Sequence, residues 1–349
     1  MKLRSLDSYS MIAYQCLKES RNERPTMGQI LEELVNAFEH QASKKTPDIA
    51  RVGPWGRKTG GPQNYWSFIL ENGHNLKKIT IDHGDIIYSL MITSECEGVV
   101  HDFENAGGWN GGDTVSEVMF DEDEELIGIN GTVGTYNGYT VISSISFFTN
   151  KSAHGPFGQA TKSAFSVSWL NGSFSGFYGL AGYYIDGIGV YLKASEKIIW
   201  VGPWGRDSGD EPNRWSFKLE ENHHLSKIII DHGDLIYSLI FTTKYRGLYQ
   251  ESKKFGGWIG GDKVSEVTFD WDEEITAIDG TIGLSRGTYA GYTVVTSLSF
   301  ITNKRTHGPF GDARGDHFQV PWDKGSFVGF YGFCGYYIDG IGVFLRATM

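Results

Sequence analysis

The stretch GYYIDGIGV occupies residues 182–190 and recurs without a change at residues 335–343. VGPWGR recurs in the same way, at residues 52–57 and 201–206. Between these outer motifs, IDHGD, VSEV and HGPFG also appear twice and in the same order, and the second copy has four extra residues around 284–287. A repeat of this length has the size of a domain, whereas solenoid repeats are much shorter. The sequence therefore predicts two homologous domains, at 50–195 and 199–349.

Each repeat is made of short segments rich in Ile, Val, Tyr and Phe, such as KKITID, ISSISFF and YIDGIGVYL. Gly, Asn and Asp separate these segments, and the chain has 46 Gly residues and 14% aromatic residues. Short strands at regular spacing with turn residues between them are typical of sandwiches, barrels and prisms. We therefore predict an all-β fold for both repeats.

Residues 1–45 have a different pattern, which predicts a helix, a turn and a second helix. Apolar residues of the second helix fall on one face, from Ile30 and Leu31 to Phe38. Thr26 is a suitable N-cap for this helix, and Lys44 to Pro47 end it and form a linker. The segment is therefore predicted to be a short helical piece in front of the repeats.

Charge and cysteine usage limit the partners and the compartment. The formal net charge is −11 and basic residues are not clustered, which argues against nucleic acid and anionic membrane as partners. The three cysteines do not recur between the repeats, which argues against a disulfide framework. The first twenty residues contain no long apolar run of a secretory leader. We therefore expect a cytoplasmic or nucleocytoplasmic protein.

Over its full length, each repeat resembles a jacalin-related lectin domain. The motifs that carry the resemblance are GPWG, GGW-x-GG, HGPFG and the C-terminal Gly-x-x-x-Asp, all in order and all present twice. The resemblance implies a plant-type lectin with a β-prism fold, in which three four-stranded Greek-key sheets surround a pseudo-threefold axis. It also implies binding of mannose and glucose, because the galactose-preferring members are cut in the first loop and no processing is evident here.

The Gly-x-x-x-Asp segment is suited to sugar binding for chemical reasons. A carboxylate accepts hydrogen bonds from two neighbouring hydroxyls, and glycine lets the backbone approach the ligand closely. In the family, the Asp accepts from the sugar and the two amides after the Gly donate to it, and a first-loop Gly adds to the site. The predicted carbohydrate-binding residues are Gly61, Gly182, Tyr183, Tyr184, Asp186, Gly335, Tyr336, Tyr337 and Asp339.

Two departures from the family pattern concern the sites. In the second repeat Asp210 stands where the first repeat has Gly61, and its side chain would hinder sugar approach. An additional family site uses Gly-Asp-x-x-Asp, but the second Asp is Tyr88 in one repeat and Tyr237 in the other. We therefore predict at most one site per domain and leave open whether the second domain binds sugar.

Residues 1–42 resemble the end of a plant receptor-like protein kinase C-lobe. The carriers are Ala13-x-x-Cys16-Leu17 and Arg24-Pro25-Thr26-Met27, followed by the apolar-faced helix. The sequence lacks the Gly-rich loop, the β3 Lys, and the HRD and DFG motifs, which kinases require for phosphoryl transfer. The segment is either a piece of a kinase–lectin fusion or a relic.

Other clusters have simpler structural explanations. Asp82–Asp85 contains metal-ligand and acid–base types, but it lies at a turn between strands, where Asp and Gly are ordinary. The run DEDEE at 121–125 does not place two carboxyls across a cleft, as glycosidases require. We therefore predict no catalytic residues, no metal and no cofactor.

The sequence predicts a non-catalytic, mannose/glucose-type lectin that gains avidity from its two domains or from homo-oligomers. The alternative is a protein–protein interaction or scaffold module in which the second site is degenerate. A glycan-active enzyme is a third class, and no set of residues supports it.

Overall fold

Each repeat contributes thirteen described β-strands, in the same order along the chain. The computed structural model describes residues 49–103, 105–108, 111–195, 197–257, 260–287 and 290–348. The predicted helical segment at 1–45 lies outside these residues and stays a prediction. Two three-residue 3-10 turns, Pro62–Asn64 and Glu211–Asn213, lie entirely within the described part. None of the described helices is long and apolar enough to cross a membrane.

The first repeat contains β1 to β13. These strands are β1 (Ile49–Gly56), β2 (Tyr65–Ile69), β3 (Asn75–His83), β4 (Ile87–Cys96), β5 (Val99–Asp102), β6 (Ala106–Gly107), β7 (Thr114–Met119), β8 (Leu126–Tyr136), β9 (Tyr139–Thr149), β10 (Ala153–Gly158), β11 (Ser163–Leu170), β12 (Gly172–Ala181) and β13 (Ile185–Ala194).

The second repeat contains β14 to β26. These strands are β14 (Ile198–Gly205), β15 (Arg214–Lys218), β16 (His224–His232), β17 (Ile236–Tyr245), β18 (Leu248–Glu251), β19 (Phe255–Gly256), β20 (Lys263–Thr268), β21 (Ile275–Leu284), β22 (Thr293–Thr302), β23 (Thr306–Gly311), β24 (Asp316–Lys324), β25 (Ser326–Cys334) and β26 (Ile338–Arg346).

The strands of each repeat form three antiparallel sheets. In the first repeat their orders are β2-β12-β13-β1, β10-β9-β8-β11 and β5-β4-β3-β7, and the short β6 also pairs with β4. In the second sheet, β11 pairs beside β8, the first of the three consecutive strands β8, β9 and β10. In the third sheet, β7 pairs in the same way beside β3. This is Greek-key order. Strands β13, β9 and β4 contact one another, so the three sheets meet around one core, as expected for a three-sided prism. The all-β prediction is confirmed.

Local sequence explains why these segments form strands and turns. In β11 the buried residues Phe165, Val167 and Trp169 alternate with exposed positions, which is the period of a strand with one face in the core. Between β8 and β9, Asn137 and Gly138 have φ of 49° and 83°, the conformation of a two-residue hairpin turn. Strand pairing thus follows from alternation and from turns that tolerate positive φ.

The two repeats join edge to edge through two sheets. Strand β1 pairs with β24, and β11 pairs with β14, so each of these sheets continues from one repeat into the other. The tryptophans of the two GPWG motifs exchange hydrogen bonds across this junction. The indole N–H of Trp55 donates to the Gln319 carbonyl at 2.8 Å, and that of Trp204 donates to the Ser166 carbonyl at 3.0 Å. The junction is therefore nearly symmetric.

Candidate functional site

The predicted Gly182–Asp186 segment forms the turn from β12 to β13. The Gly182 amide donates to the Tyr184 carbonyl at 3.0 Å, which closes the turn. Asp186 is the second residue of β13 and only 4% of it is exposed. The turn therefore places a carboxylate and the backbone of the preceding residues at the end of one strand pair.

Arg57, which the sequence prediction did not include, holds this carboxylate. Its Nη1 lies 3.2 Å from Asp186 Oδ2, and its Nε donates to the Thr59 carbonyl at 2.8 Å. The Arg57 amide also donates to the Asp186 carbonyl at 2.8 Å. Burial raises the pKa of Asp186, and the guanidinium of Arg57 opposes that rise. The first loop and the Gly182 turn are thus linked by charge and by backbone.

Asp186 opens onto a cavity of about 520 Å³, a volume within the usual range for ligand sites. Gly182, Tyr183 and Tyr184 also line it, as predicted residues, but Gly61 does not. The opposite wall comes from the end of the first loop and from Asn105 to Gly107 around β6. The amide groups of Asn64 and Asn105 and the guanidinium of Arg57 add polar groups that suit hydroxyl-rich ligands.

The two tyrosines of the turn have different environments. Tyr184 is buried, and its ring packs edge-on against Tyr88 and Tyr136 at centroid distances of 5.6 and 5.3 Å. Its hydroxyl accepts a hydrogen bond from the side-chain amide of Asn137 at 3.2 Å. Tyr183 is 49% exposed at the cavity wall. The Tyr184 ring therefore fixes the turn, and the Tyr183 ring offers apolar surface to a ligand.

The second repeat reproduces the turn with a looser ion pair. The Gly335 amide donates to the Tyr337 carbonyl at 3.0 Å, and Tyr337 is buried like its counterpart. Arg206 Nη1 lies 3.6 Å from Asp339 Oδ2. Burial raises the pKa of Asp339 to about 6, and Arg206 opposes the rise only in part. The carboxylate of this repeat is therefore closer to protonation at neutral pH.

Gly61 and Asp210 occupy the same backbone position. Both precede a 3-10 turn in extended conformation, with φ of −65° and −68°. A side chain at Gly61 would meet the end of the flexible Gln63 side chain, at 2.7 Å from its amide atoms. The backbone therefore does not require glycine at this position, and the difference between the repeats is one of side-chain volume and charge, since Asp210 is exposed.

Residues of the other acidic motifs make structural hydrogen bonds. Asp82 Oδ1 accepts from the Gly112 amide at 2.8 Å, and Asp231 accepts from Gly261 at the same distance. The Tyr237 hydroxyl donates to Asp234 at 2.8 Å. Tyr237 stands at one of the two positions where the additional family site has an Asp. Among the described residues, no group of three or more His, Cys, Asp or Glu side chains is arranged to hold a metal ion.

Comparison with known proteins identifies the class. The sequence profile of the jacalin-like lectin domain matches residues 52–191 and, a second time, residues 201–344. The two matches together cover most of the chain. The chain therefore belongs to the jacalin-like lectin family and carries its domain twice.

Curated relatives extend this similarity beyond one domain. The mannose/glucose-specific lectin of Parkia pendula is 37% identical over 304 residues, which are 84% of this chain and 64% of that protein. The agglutinin of Castanea crenata is 33% identical over 317 residues, which are 86% of this chain and 99% of that protein. The chain thus spans 64% of the length of the Parkia lectins it matches.

Among solved structures, Calystegia sepium agglutinin is 34% identical. The match covers 43% of this chain and 98% of that chain, with a TM-score of 0.38.

Proposed function

We propose that the chain is a non-catalytic lectin whose first repeat binds mannose- or glucose-containing glycans in the Asp186 cavity. The observation that carries the proposal is the buried Asp186 carboxylate, held by Arg57 beside the Gly182 turn. Membership in the jacalin-like lectin family supports carbohydrate binding. The name of the Parkia relatives, mannose/glucose-specific lectin, supports this sugar class.

The mechanism is capture of a terminal sugar by hydrogen bonds. Two neighbouring hydroxyls donate to the Asp186 carboxylate, and the backbone amides of Tyr183 and Tyr184 donate to sugar oxygens. Charge-assisted hydrogen bonds of this kind are the stronger ones, and Arg57 orients the carboxylate and opposes the rise in its pKa that burial causes. The Tyr183 ring covers the C–H face of the sugar. A shallow site of this kind gives a dissociation constant of about 1 mM, or about −4 kcal/mol.

Calorimetric titration of the full chain with methyl α-mannoside tests the proposal, with methyl α-galactoside as the control. We expect heat with the mannoside only, at a stoichiometry of one or two sites. Two sites would mean that the second repeat also binds, and one would mean that it does not. Absence of heat with both sugars at tens of millimolar would overturn the proposal and favour the protein-interaction module. Heat with the galactoside alone would overturn the sugar class.

Two further expectations remain proposals about the whole chain. Cys96 and Cys334 are free thiols, which supports a reducing, cytoplasmic or nucleocytoplasmic location. Imaging a fluorescent fusion of the full chain would test this, and secretion into the medium would contradict it. The kinase-like segment 1–42, whether a piece of a kinase–lectin fusion or a relic, is proposed to carry out no phosphoryl transfer. Incorporation of labelled phosphate from ATP by the purified chain would contradict that.

A further inference from the structure

A second cavity, of about 460 Å³, lies in the second repeat and does not include Asp339. It runs along the face of the sheet that contains β14, β26, β25 and β15. Three aromatic side chains, Trp200, Tyr331 and Phe344, lie on this sheet face, and Trp200 is half-buried whereas Tyr331 and Phe344 are buried. Trp200 lies 5.3 Å from Tyr331 and 5.2 Å from Phe344 between ring centroids, and Tyr331 stacks on Phe344 at 4.9 Å. We call this cavity the aromatic cleft.

Strand register explains why these rings share one face. Trp200 is the direct cross-strand partner of Phe344 on one side and of Leu170 on the other. Directly opposite residues of antiparallel strands project to the same face of a sheet. Leu170 belongs to the first repeat and is 53% exposed. The junction between repeats thus extends the apolar row to the edge of the cleft.

Cations mark one end of the aromatic cleft. The Lys218 ammonium lies 4.4 Å from the Phe344 ring centroid and 5.4 Å from that of Trp200, and Lys253 also lines the cleft. In the described parts of the chain, no carboxylate lies within 4 Å of either lysine nitrogen. An ammonium beside aromatic rings and without a counter-ion favours an anion there.

The two carboxylates of the cleft, Asp207 and Glu211, belong to the first loop of this repeat. Glu211 pairs with Arg214 at 3.4 Å, so its charge is balanced. Arg214 and Lys218 are the two ends of β15, and four residue steps along the strand separate them by about 13 Å. The Glu211–Arg214 pair therefore lies at one end of β15, and Lys218 lies at the other end, beside Trp200.

The first repeat fills the equivalent place with its own residues. Arg51 stands where the second repeat has Trp200, and its guanidinium carbon lies 4.2 Å over the Tyr178 ring. Arg51 Nη2 also pairs with Asp323 at 3.1 Å, and Ile69 stands where the second repeat has Lys218. At this place the first repeat has Arg51 with a carboxylate partner. The second repeat has the Trp200 ring and Lys218, which has no carboxylate partner among the described residues.

We propose that the aromatic cleft is a second binding site, separate from the sugar site, for a small planar aromatic carboxylate. The ring of the ligand packs on the half-buried Trp200 and the exposed Leu170, and its carboxylate pairs with Lys218. An apolar ring gains from burial against Trp200 and Leu170, and the ligand carboxylate supplies the counter-ion that Lys218 lacks. The proposal does not depend on sugar binding by either repeat.

Calorimetric titration of the full chain with 2-naphthoate, followed in parallel by tryptophan fluorescence, tests this proposal. We expect one site, with binding to Lys218→Ile at least about tenfold weaker, which corresponds to about 1.4 kcal/mol. Ile is the residue that the first repeat has at this position, so the sheet tolerates it. The matched control is Ile69→Lys in the first repeat, which should leave naphthoate binding unchanged because Arg51 fills that face. Neutral naphthalene-2-carboxamide should bind about tenfold more weakly than the acid.

Closing the cleft gives a second, independent readout. Trp200→Arg with Leu170→Asp transplants the ion pair of the first repeat and should abolish naphthoate binding. Circular dichroism and thermal unfolding show whether the double variant is folded. If the double variant is unfolded, the result with Lys218→Ile still decides the test. Equal affinity of wild type and Lys218→Ile, equal affinity for the acid and the amide, or no binding at millimolar naphthoate would each overturn the proposal. Displacement of naphthoate by methyl α-mannoside would also overturn it, since the two sites are separate.

Discussion

The Asp186 and Asp339 sites have the same turn and equivalent arginines, Arg57 and Arg206, yet the pKa values of the two carboxyls differ. The Arg57–Asp186 contact is 3.2 Å and the Arg206–Asp339 contact is 3.6 Å. Burial raises the pKa of both carboxyls, but only for Asp339 is the rise large enough to bring the pKa to about 6. Burial is the main cause of the rise at both carboxyls, and the longer contact with arginine accompanies the larger rise at Asp339.

The two repeats also differ in the length of one connection, the one between β8 and β9 in the first repeat and between β21 and β22 in the second. In the first repeat a two-residue turn, Asn137–Gly138, joins β8 to β9 and holds the Tyr184 hydroxyl. In the second repeat residues 285–292 join the corresponding strands, and Ser285 and Tyr292 bond to each other within this loop. The first repeat therefore has a short turn that contacts the Tyr184 side chain, and the second has a longer connection between the strands and the extra carboxylate of Asp210.

The comparison is tested most strongly by removing each carboxylate in turn. Asp186→Asn should weaken mannoside binding by the first repeat more than about 100-fold, because charge-assisted hydrogen bonds contribute about 1.5–3 kcal/mol each and two are lost. Asp339→Asn should leave that binding intact and remove only heat from the second repeat. Calorimetry of both variants checks this, with circular dichroism as the control for folding. Full binding by Asp186→Asn together with loss in Asp339→Asn would reverse the assignment.

Glu124 and Glu273 occupy equivalent positions in the two repeats, and we expect them to contribute differently to the stability of the fold. Burial alone would raise the pKa of Glu273, but hydrogen bonds from Arg305, His307 and Thr302 lower it to about 2. Glu124, the counterpart in the first repeat, has a pKa lowered by a hydrogen bond from Thr149, with burial opposing. The carboxylate of Glu273 is thus the more strongly stabilised of the two.

We expect Glu273→Gln to lower the free energy of unfolding by about 2 kcal/mol and Glu124→Gln by about 1 kcal/mol, since only Glu273 has a bidentate arginine. The contribution of Glu273 is fully present above the unfolded pKa of about 4.5 and is lost as the pH falls towards 2. Chemical denaturation at pH 7 measures both variants, with the exposed Glu122→Gln as the control. A larger loss for Glu124→Gln would contradict the ranking.

The sequence predicts the fold of each repeat well because alternation, turn residues and an internal duplication all point to the same strands. It also predicts the Gly182–Asp186 turn, because both copies keep it unchanged. Arg57 was missed, although the Arg in both copies of VGPWGR was a usable signal. Asn105 and the aromatic cleft were beyond reach, because they depend on which loops and sheet edges meet in three dimensions. Gly61 was predicted to line the site, but it is not among the residues that line the cavity.

The smallest effect concerns pH. Because burial raises the pKa of Asp339 to about 6, this carboxyl gains a proton as the pH falls through 6 and loses its capacity to accept two sugar hydroxyls. Between pH 7.5 and pH 5 its ionised fraction drops about tenfold, so any sugar binding by the second repeat should weaken by the same factor. Asp186 has the closer arginine, so the first repeat should keep its affinity to lower pH.

Carboxyl-detected NMR titration resolves this difference even if the second repeat binds no sugar. We expect a midpoint near 6 for Asp339 and a lower midpoint for Asp186, with the assignments taken from the two Asp→Asn variants. Arg206→Gln should move the Asp339 midpoint further up, because it removes the charge that opposes the effect of burial. Arg57→Gln should move the Asp186 midpoint in the same direction, because Arg57 opposes the effect of burial there too. If the midpoints coincide in the wild-type chain, the two carboxyls are equivalent, and any difference in sugar binding between the repeats comes from other features, such as Asp210.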